Sequence, residues 1–355
     1  VFDVESVGET EIACTVRHGG ELSNNKGINR QGGGLSAPAL TPKDMEDIRT
    51  AAQLNVDLVA VSFPKNGADM RQARELLRAA GSDALLIAKI ERAEAIPALE
   101  EIILSCDGIM VARGDLAVEV GNAAVPALQK RMIRMARELN RLTITATQMM
   151  ESMISSPVPT RAEVSDVANA VLDGTDAVML SAETASGSYP VQTVEAMARI
   201  CLEAEKSHEV TLDRDFLDRV FTRIDQSVAM AALFTAYHLK VKAIASLTQS
   251  GSTALWMSRL NCGVPIYALT PEIRTRYKTA LFRGVFPLMM LQYEDIDRDE
   301  LLLQAERVLI DSGAVVKGDL ILLTIGEPIG KSGGTNTLKI VRVGEQGEAP
   351  ARTAN

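Results

Sequence analysis

Five apolar runs in the 355-residue sequence each end in reactive or polar side chains. In chain order these are Ser62 and Phe63; Lys89 and Glu91; Arg113, Gly114 and Asp115; Thr147 and Gln148; and Ser181 and Glu183. Taken singly, any of them is more often a solvated strand end, a turn or a cap. Packing does not require five successive apolar runs to stop at such residues, so together they indicate a functional site.

The residue types and their spacing favour chemistry on an anionic substrate. Lys89 and Glu91 are two positions apart and therefore share a face where their strand ends. Glu91 and Asp115, on successive strands, could bind one Mg²⁺ or Mn²⁺ through oxygen and leave coordination positions for substrate and water. The segment ARGD at 112–115 precedes a loop and a helix, so its backbone amides could receive an anion.

Proton transfer at carbon is a second kind of chemistry that these residues allow. Thr147 and Ser181 could take part in it, but neither has an adjacent histidine or acid in sequence that would identify a base. A lysine, a carboxylate-bound metal ion and backbone amides suit a reaction catalysed by positioning and charge neutralisation. From the residues alone, the prediction is a magnesium-dependent enzyme for a small phospho- or keto-acid.

The elements that must position these residues alternate between strand and helix. A helix capped by Thr41, with Pro42 at its first position, is predicted to run to about Asn55. Apolar strands follow at 56–63, 84–90, 107–112, 143–147 and 176–181, with helical segments between them. Such a pattern predicts a parallel α/β sheet, either doubly wound or a (β/α)₈ barrel, with ligands at the carboxyl ends of the strands.

The flanking regions differ in pattern. Residues 1–16 alternate apolar and polar positions around Gly8, which predicts a hairpin with one buried face. A Gly-, Asn- and Ser-rich loop occupies 18–34, and a polar segment at 206–226 precedes a second α/β region. The strands predicted in that region are 241–248, 264–270, 285–291, 318–326 and 337–343. The predicted domains are 1–36, 37–207 and 208–355.

In the second region, QSGST at 249–253 follows a strand and opens a helix. Its amides, hydroxyls and helix dipole would make a phosphate cradle, with an ordinary N-cap turn as the alternative. The later loop GEPIGKSGG at 326–334 is close to a Walker A motif. That motif is rejected because the loop is one residue short and leads into a strand instead of a helix.

Composition excludes several classes of protein. With 37 basic and 46 acidic side chains, the net charge of −9 opposes binding of a nucleic-acid backbone. No apolar run approaches the length of about 18 residues that a membrane span needs, so no membrane association is predicted. The four cysteines are far apart and form no CxxC pair, which favours neither zinc nor disulfides and fits a reducing cytoplasm.

Several segments of the chain closely resemble the pyruvate kinase family. IAKIERAEA at 87–95 looks like that family's catalytic-lysine signature, and the blocks at 109–121, 143–153 and 174–187 match three more in order. SNNKGINR in the early loop and LTQSGSTALWMSR in the last region extend the similarity over essentially the whole chain. The resemblance implies transfer of a phosphoryl group from phosphoenolpyruvate to ADP, followed by protonation of enolpyruvate.

The resemblance also implies roles for matching residues. Lys89 would stabilise the phosphoryl group in flight, Glu91 and Asp115 would hold the metal, and Thr147 with Ser181 would lie on the proton route. The substrate would be bound by Ser62, Phe63, Arg113, Gly114, Asp115 and Thr147, and the nucleotide phosphates would be approached by Lys26. A phosphorylated activator, a sugar phosphate or a nucleotide, would be bound by Thr248, Gln249, Ser250, Gly251, Ser252, Thr253 and Lys331.

The fold implied by the resemblance is a (β/α)₈ barrel with an inserted β domain that covers the nucleotide, and a C-terminal α/β domain. The five early strands would then be barrel strands four to eight, and the assembly a cytoplasmic homotetramer. Strands one to three, with a substrate-phosphate arginine and the ligands of a K⁺ ion, have no counterpart in the sequence. The resemblance therefore implies that an N-terminal part is omitted, or that the chain is inactive as written.

Two further functions stay open at this point. A magnesium-dependent aldolase or lyase could use the same Glu and Asp to chelate a pyruvate enolate, but it would not explain the QSGST segment. The missing barrel strands also allow a truncated, effector-binding relic without catalytic activity.

Overall fold

The structure is a computed structural model that describes residues 1–21, 24, 29–34, 37–206, 220–260, 262–291, 297–329 and 334–345. Its strands are β1 (Phe2–Val7), β2 (Ile12–Val16), β3 (Leu58–Val61), β4 (Leu85–Ile90), β5 (Gly108–Ala112), β6 (Leu142–Ala146), β7 (Ala177–Met179), β8 (Ala243–Leu247), β9 (Ile266–Thr270), β10 (Val285–Met289), β11 (Leu320–Gly326) and β12 (Thr335–Arg342). Its helices are α1 (Pro42–Gln53), α2 (Gly67–Ala79), α3 (Leu99–Leu104), α4 (Arg113–Val120), α5 (Val125–Glu138), α6 (Arg161–Leu172), α7 (Ala182–Ala185), α8 (Pro190–Lys206), α9 (Ile224–Leu239), α10 (Ser252–Arg259), α11 (Ile273–Thr279) and α12 (Arg298–Asp311).

The first sheet contains β3, β4, β5, β6 and β7 in that order, and every neighbouring pair is parallel. A doubly wound sheet would reverse its strand order at some point, whereas here each strand pairs with the next along the chain. The unbroken order is that of consecutive strands in a (β/α) barrel. The predicted α/β class is confirmed, and every strand predicted from the apolar runs overlaps an observed one.

Local sequence accounts for these elements. The Thr41 side chain accepts the Asp44 backbone N–H while the Asp44 carboxylate binds the Thr41 N–H, so α1 begins with a capping box. All five residues of β5 are buried. Their apolar character is typical of a central strand in a parallel sheet that helices cover. A β-carbon on Gly108 would lie 2.7 Å from Cβ of Leu142, so glycine permits the close approach of β5 to β6.

The second sheet has the order β10, β9, β8, β11, β12, with β12 antiparallel to β11 and the other pairs parallel. From β8 the chain adds β9 and β10 on one side, and then crosses to place β11 on the other. The strand order therefore reverses between β8 and β11, and the carboxyl ends of these two strands border a crevice. Strand β12 begins at Thr335, as expected when the Walker A interpretation was rejected.

A buried ion pair joins the two sheets. Arg259, the last residue of α10, donates hydrogen bonds to both carboxylate oxygens of Asp176, which immediately precedes β7. The exposed fractions of the two side chains are 2% and 1%. Asp176 also accepts the backbone N–H groups of Thr143 (2.9 Å) and Arg283 (3.1 Å). One carboxylate thus connects the start of the first sheet's last two strands with the second sheet.

The N-terminal hairpin departs from the prediction. Strands β1 and β2 pair antiparallel as expected, but every residue of both strands is exposed, so the expectation of a buried face was wrong. The alternating pattern is present, yet no helix or strand in the described part of the chain packs against the apolar face. No described helix is both long and apolar enough to cross a membrane.

Candidate functional site

The predicted cluster at the strand ends forms around β4. Lys89 Nζ lies 2.6 Å from Oε1 of Glu91 and donates a hydrogen bond of 3.1 Å to Oγ of Ser62, which follows β3. The lysine side chain remains 27% exposed, whereas the Glu91 side chain is 1% exposed. The structure therefore brings these three predicted residues together, with the ammonium group at the open side of the cluster.

Glu91 is a buried carboxylate that its neighbours compensate only in part. The backbone N–H of Phe63 donates to Oε2 of Glu91 at 2.9 Å. Burial raises the pKa of Glu91, the Lys89 ammonium and the Phe63 N–H oppose that rise, and the negative charge of Asp115 adds to it. The ionised form of such a buried, partly compensated carboxylate is stabilised by a further cation beside it.

Asp115 lies in the first turn of α4, on the strand end next to Glu91. Its Oδ1 accepts a 2.9 Å hydrogen bond from Nδ2 of Asn29, which brings the early glycine-rich loop to the site. Within the described residues, no group of three or more His, Cys, Asp or Glu side chains could hold a metal ion. Two carboxylates suit Mg²⁺, which usually takes its remaining ligands from water and substrate oxygens.

The end of β6 carries an unusual turn. Thr147 and Gln148 have φ angles of 65° and 54°, a left-handed conformation that is uncommon outside glycine and strained for a β-branched residue. The Thr147 hydroxyl accepts the backbone N–H of Gly114 at 2.9 Å and donates to the carbonyl of Ala146 at 2.6 Å. The predicted Gly114 and Thr147 are thus in direct contact across the ends of β5 and β6.

Arg113, the first residue of α4, turns its side chain toward that same turn. Its guanidinium donates to the carbonyl of Thr147 at 2.7 Å and pairs with Asp166 of α6 at 2.6 Å. The Arg113 side chain is 10% exposed. Sequence reasoning grouped Arg113 with the substrate ligands, but in the structure its guanidinium is engaged with protein groups.

The end of β7 is tied to the end of β6 by Glu183. This carboxylate is 3% exposed and accepts the backbone N–H of Ser181 at 2.7 Å and that of Met150 at 3.1 Å. Ser181 itself is exposed at the same edge of the sheet as Thr147. Among the predicted residues, Lys26 and Lys331 lie outside the described part of the chain.

Sequence reasoning missed three contributors to this edge. Asn29 lies in the segment SNNKGINR but was assigned no role, and Asp166 was not singled out. Glu183 was recognised at a strand end without the backbone contacts that it makes. The helix-face position of Asp166, six residues after the capping residue Thr160, was the only available signal, and it does not identify the partner.

The second candidate site is the crevice beside β8. Thr248 Oγ1 accepts the backbone N–H of Gly251 at 2.9 Å. Gly251 precedes α10 with a φ of +80°, and a β-carbon there would lie 2.6 Å from Cγ2 of Thr279, so glycine is required. No side chain of the described residues caps α10 at Gly251, unlike the ordinary N-cap considered from the sequence.

Both walls of this crevice come from the strand ends where the sheet order reverses. Its polar lining includes Thr248, Gln249, Ser252, Thr253 and Thr335. Lys278 of α11 donates to the carbonyl of Ser250 at 3.2 Å, and burial lowers the pKa of this lysine. Four of the six predicted effector residues at 248–253 line this crevice, and Lys278, which sequence reasoning had not identified, lies behind their loop.

Comparison with known proteins gives two family matches in chain order. Residues 1–194 match a model described as the pyruvate kinase barrel domain, and residues 226–341 match the pyruvate kinase alpha/beta domain. The curated relatives include Pyruvate kinase II of Salmonella typhimurium, which is 54% identical over 94% of this chain and 70% of its own length. Pyruvate kinases of Buchnera aphidicola (subsp. Schizaphis graminum) and Haemophilus influenzae are 54% and 52% identical, over 96% and 91% of this chain and 71% and 68% of theirs.

These matches cover the barrel region and the second α/β region together. An aldolase or lyase is not favoured, because both family models and the named relatives are pyruvate kinases. The strand-end lysine and its carboxylates agree with a phosphotransferase. The chain belongs to the pyruvate kinase family.

Proposed function

We propose that the strand-end site transfers a phosphoryl group from phosphoenolpyruvate to ADP and yields pyruvate and ATP, the glycolytic reaction of this family. The observation that carries the proposal is the Lys89 ammonium, held 2.6 Å from a buried carboxylate at the edge that also contains Asp115 and Thr147. Phosphoryl transfer depends mainly on positioning and charge stabilisation. A lysine fixed beside a metal-binding carboxylate supplies both.

In this proposal each residue acts from the position described above. Ser62 and Glu91 orient the Lys89 ammonium toward the phosphoryl group in flight. The amides of Gly114 and Asp115, with the Thr147 hydroxyl, bind the substrate carboxylate, which would take the place of the Gly114–Thr147 hydrogen bond. A β-carbon on Gly114 would be 3.8 Å from its nearest neighbour, so packing does not explain this glycine, and the space suits a bound anion. Ser62 and Phe63 line the pocket.

The subsequent proton step uses the edge formed by β6 and β7. Thr147 and Ser181 are the hydroxyl groups that we place on the proton route to the enol carbon. Their loops are connected through Glu183, which binds backbone N–H groups of both. We place Lys26 near the nucleotide phosphates, where the family resemblance puts it.

Glu91 and Asp115 would hold Mg²⁺ or Mn²⁺. The bound ion would neutralise charge on the substrate oxygens. The fit rests on the donor set: a buried Glu91 carboxylate at the end of β4 and the Asp115 carboxylate beyond the end of the neighbouring strand β5. The family resemblance adds a K⁺ ion, for which we assign no ligand in this sequence.

The test of the function is the formation of pyruvate from phosphoenolpyruvate and ADP in the presence of Mg²⁺, with protein of full native length. Stoichiometric production of pyruvate and ATP is expected. Failure to produce pyruvate, or cleavage of a keto-acid aldol in its place, would overturn the proposal.

Substitution of Glu91 by Gln is expected to remove metal-dependent stabilisation. A ligand present at 100 times its Kd raises the free energy of unfolding by about 2.7 kcal/mol. We expect the melting temperature of the parent protein to rise with Mg²⁺, and that of Glu91→Gln and Asp115→Asn to stay constant. Without metal, Glu91→Gln should be no less stable than the parent, because it removes a buried charge.

Glu101→Gln is the matched control for that measurement, because Glu101 lies on α3 in an exposed pair with Arg71. It should retain the full Mg²⁺ response. A Glu91→Gln variant that responds to Mg²⁺ as the parent does would contradict the assigned ligand set.

A phosphorylated activator is proposed for the crevice beside β8. The supporting observations are the Gly251 turn at the start of α10 and the reversal of strand order at this position. We expect Ser250→Asp to abolish activation by a sugar phosphate or a nucleotide, because it adds negative charge beside the bound phosphate, and to leave basal turnover unchanged.

Activation is measured as turnover against effector concentration, and binding by calorimetry with the same two classes of ligand. Ser312→Asp is the control, since it adds the same charge at an exposed position after α12. Effector binding that is identical in Ser250→Asp and the parent would exclude this location.

The family resemblance also supports a homotetramer in the cytoplasm, and we propose both for this chain. The four cysteines, all within described segments, are free thiols, as a reducing compartment would keep them. Light scattering of the full-length protein tests the assembly.

A further inference from the structure

The turn at Thr147 and Gln148 is strained and needs external support. Two successive non-glycine residues there have positive φ angles, and the first is β-branched. Such conformations persist only where the surrounding structure over-determines them, and they are common at functional sites. The contacts that fix this turn matter for the reaction, since the proposed substrate contact and proton route both use the Thr147 hydroxyl.

Arg113 makes the contacts that fix the backbone of the turn. Its Nη2 donates to the Thr147 carbonyl at 2.7 Å, and its Nε donates to the Thr147 and Ala146 carbonyls, each at 3.2 Å. Nη2 also contacts the sulfur of Met149. A planar guanidinium with several donors in fixed directions can hold successive carbonyl groups, which a lysine ammonium cannot do in the same way.

Asp166 compensates the charge of this buried guanidinium. Both of its carboxylate oxygens lie near Nη1 of Arg113, at 2.7 Å and 2.6 Å, and the Asp166 side chain is 36% exposed. A buried cation without such a partner would be costly, and its side chain would tend to move toward water. Asp166 therefore determines where the guanidinium lies, although it belongs to α6 and makes no hydrogen bond to Thr147 or Gln148, both of which the structure describes.

We propose that Arg113 and Asp166 form a clamp that holds Thr147 in its strained conformation, and that Asp166 is a positioning residue for the reaction. The Arg113–Asp166 clamp places the Thr147 hydroxyl 2.9 Å from the Gly114 amide, between the ends of β5 and β6. This inference rests on the proposed function, because it assigns the clamp to the step that uses Thr147.

A double-mutant cycle separates positioning from general stabilisation. Asp166→Asn alone is expected to lower kcat for pyruvate formation by about 100-fold, the cost of a displacement of about 1 Å at a reacting group. In a Thr147→Ala background the same substitution should change kcat by no more than about twofold, because the group that it positions is already absent. Asp166→Glu should recover part of the loss.

A purely structural role would give a different result. The effect of Asp166→Asn would then multiply with that of Thr147→Ala, and this outcome would overturn the proposal. Asp173→Asn is the matched control, because Asp173 follows α6 and pairs with Lys130 away from the turn. It should leave kcat within about twofold of the parent. An equal loss in Asp173→Asn would also overturn the clamp.

Arg113→Lys keeps the charge and removes the fixed fork of donors, so it tests the clamp if Asp166→Asn does not fold. We expect a loss of kcat similar to that of Asp166→Asn, and again little further loss in the Thr147→Ala background. A parent protein that forms no pyruvate contradicts the proposed function. A parent with normal turnover and an Asp166→Asn variant equal to it contradicts the clamp alone.

Discussion

Replacement of Lys89 by methionine is expected to lower kcat for pyruvate formation by at least about 10³-fold, the effect of removing a cation that stabilises a transferring phosphoryl group. Methionine has a similar length and no charge. The ammonium now lies between Ser62 and Glu91, at the carboxyl end of β4. Because the phosphoryl charge is redistributed in the transition state, the loss should appear mainly in kcat and less in KM for phosphoenolpyruvate.

Two accompanying measurements make this result specific. Lys89→Met should still show a Mg²⁺-dependent rise in melting temperature, since Glu91 and Asp115 are intact. Lys130→Met removes an exposed lysine on α5 and should have the turnover of the parent. Turnover of Lys89→Met within about tenfold of the parent, which corresponds to only 1.4 kcal/mol of transition-state stabilisation, would exclude the catalytic role.

Asp176→Asn is expected to have the largest effect on stability. The change leaves the Arg259 guanidinium, 2% exposed, without its counter-charge, and breaking a buried pair in this way costs about 3–5 kcal/mol. The backbone N–H groups of Thr143 and Arg283 would also lose a charged acceptor. The loss in the free energy of unfolding is measured by urea unfolding, monitored by far-ultraviolet circular dichroism.

The controls for this prediction are a carboxylate-to-amide substitution in an exposed ion pair and the removal of both partners of the buried pair. The exposed pair of Arg71 and Glu101 should contribute less than about 1 kcal/mol, so Glu101→Gln should unfold almost as the parent does. The double variant Asp176→Asn, Arg259→Met should be more stable than Asp176→Asn, because it removes the buried cation. A cost below about 1 kcal/mol for Asp176→Asn would show that water reaches the pair.

The sequence alone predicted the strand and helix order because apolar runs in a parallel sheet are nearly continuous and easily recognised. The helix at Pro42 was predicted from its capping residues, which the structure confirms. The hairpin was predicted at the correct residues, but the prediction that one of its faces is buried was wrong. Alternation shows which residues share a face, whereas burial depends on whether another element covers that face.

The strand-end cluster was also accessible from sequence, because parallel strands present their carboxyl ends at one edge. The supports of the cluster were not. No glycine or asparagine marks the left-handed turn at Thr147, so nothing in the sequence indicates the strain or the contacts that maintain it. The partners of Arg113 and Arg259 are 53 and 83 residues away in sequence, and local patterns do not predict side-chain pairs across such separations.

The distribution of thiols has a practical consequence for spectroscopy. Burial raises the pKa of Cys106 to about 12 and also raises those of Cys201 and Cys262, whereas Cys14 is exposed on β2. Alkylating dyes react with the thiolate, so mild labelling should favour Cys14. The sequence contains one tryptophan, Trp256 on α10. Trp256 on α10 can therefore serve as the donor, and a dye attached to Cys14 on the hairpin as the acceptor, in energy-transfer measurements that need no introduced cysteine.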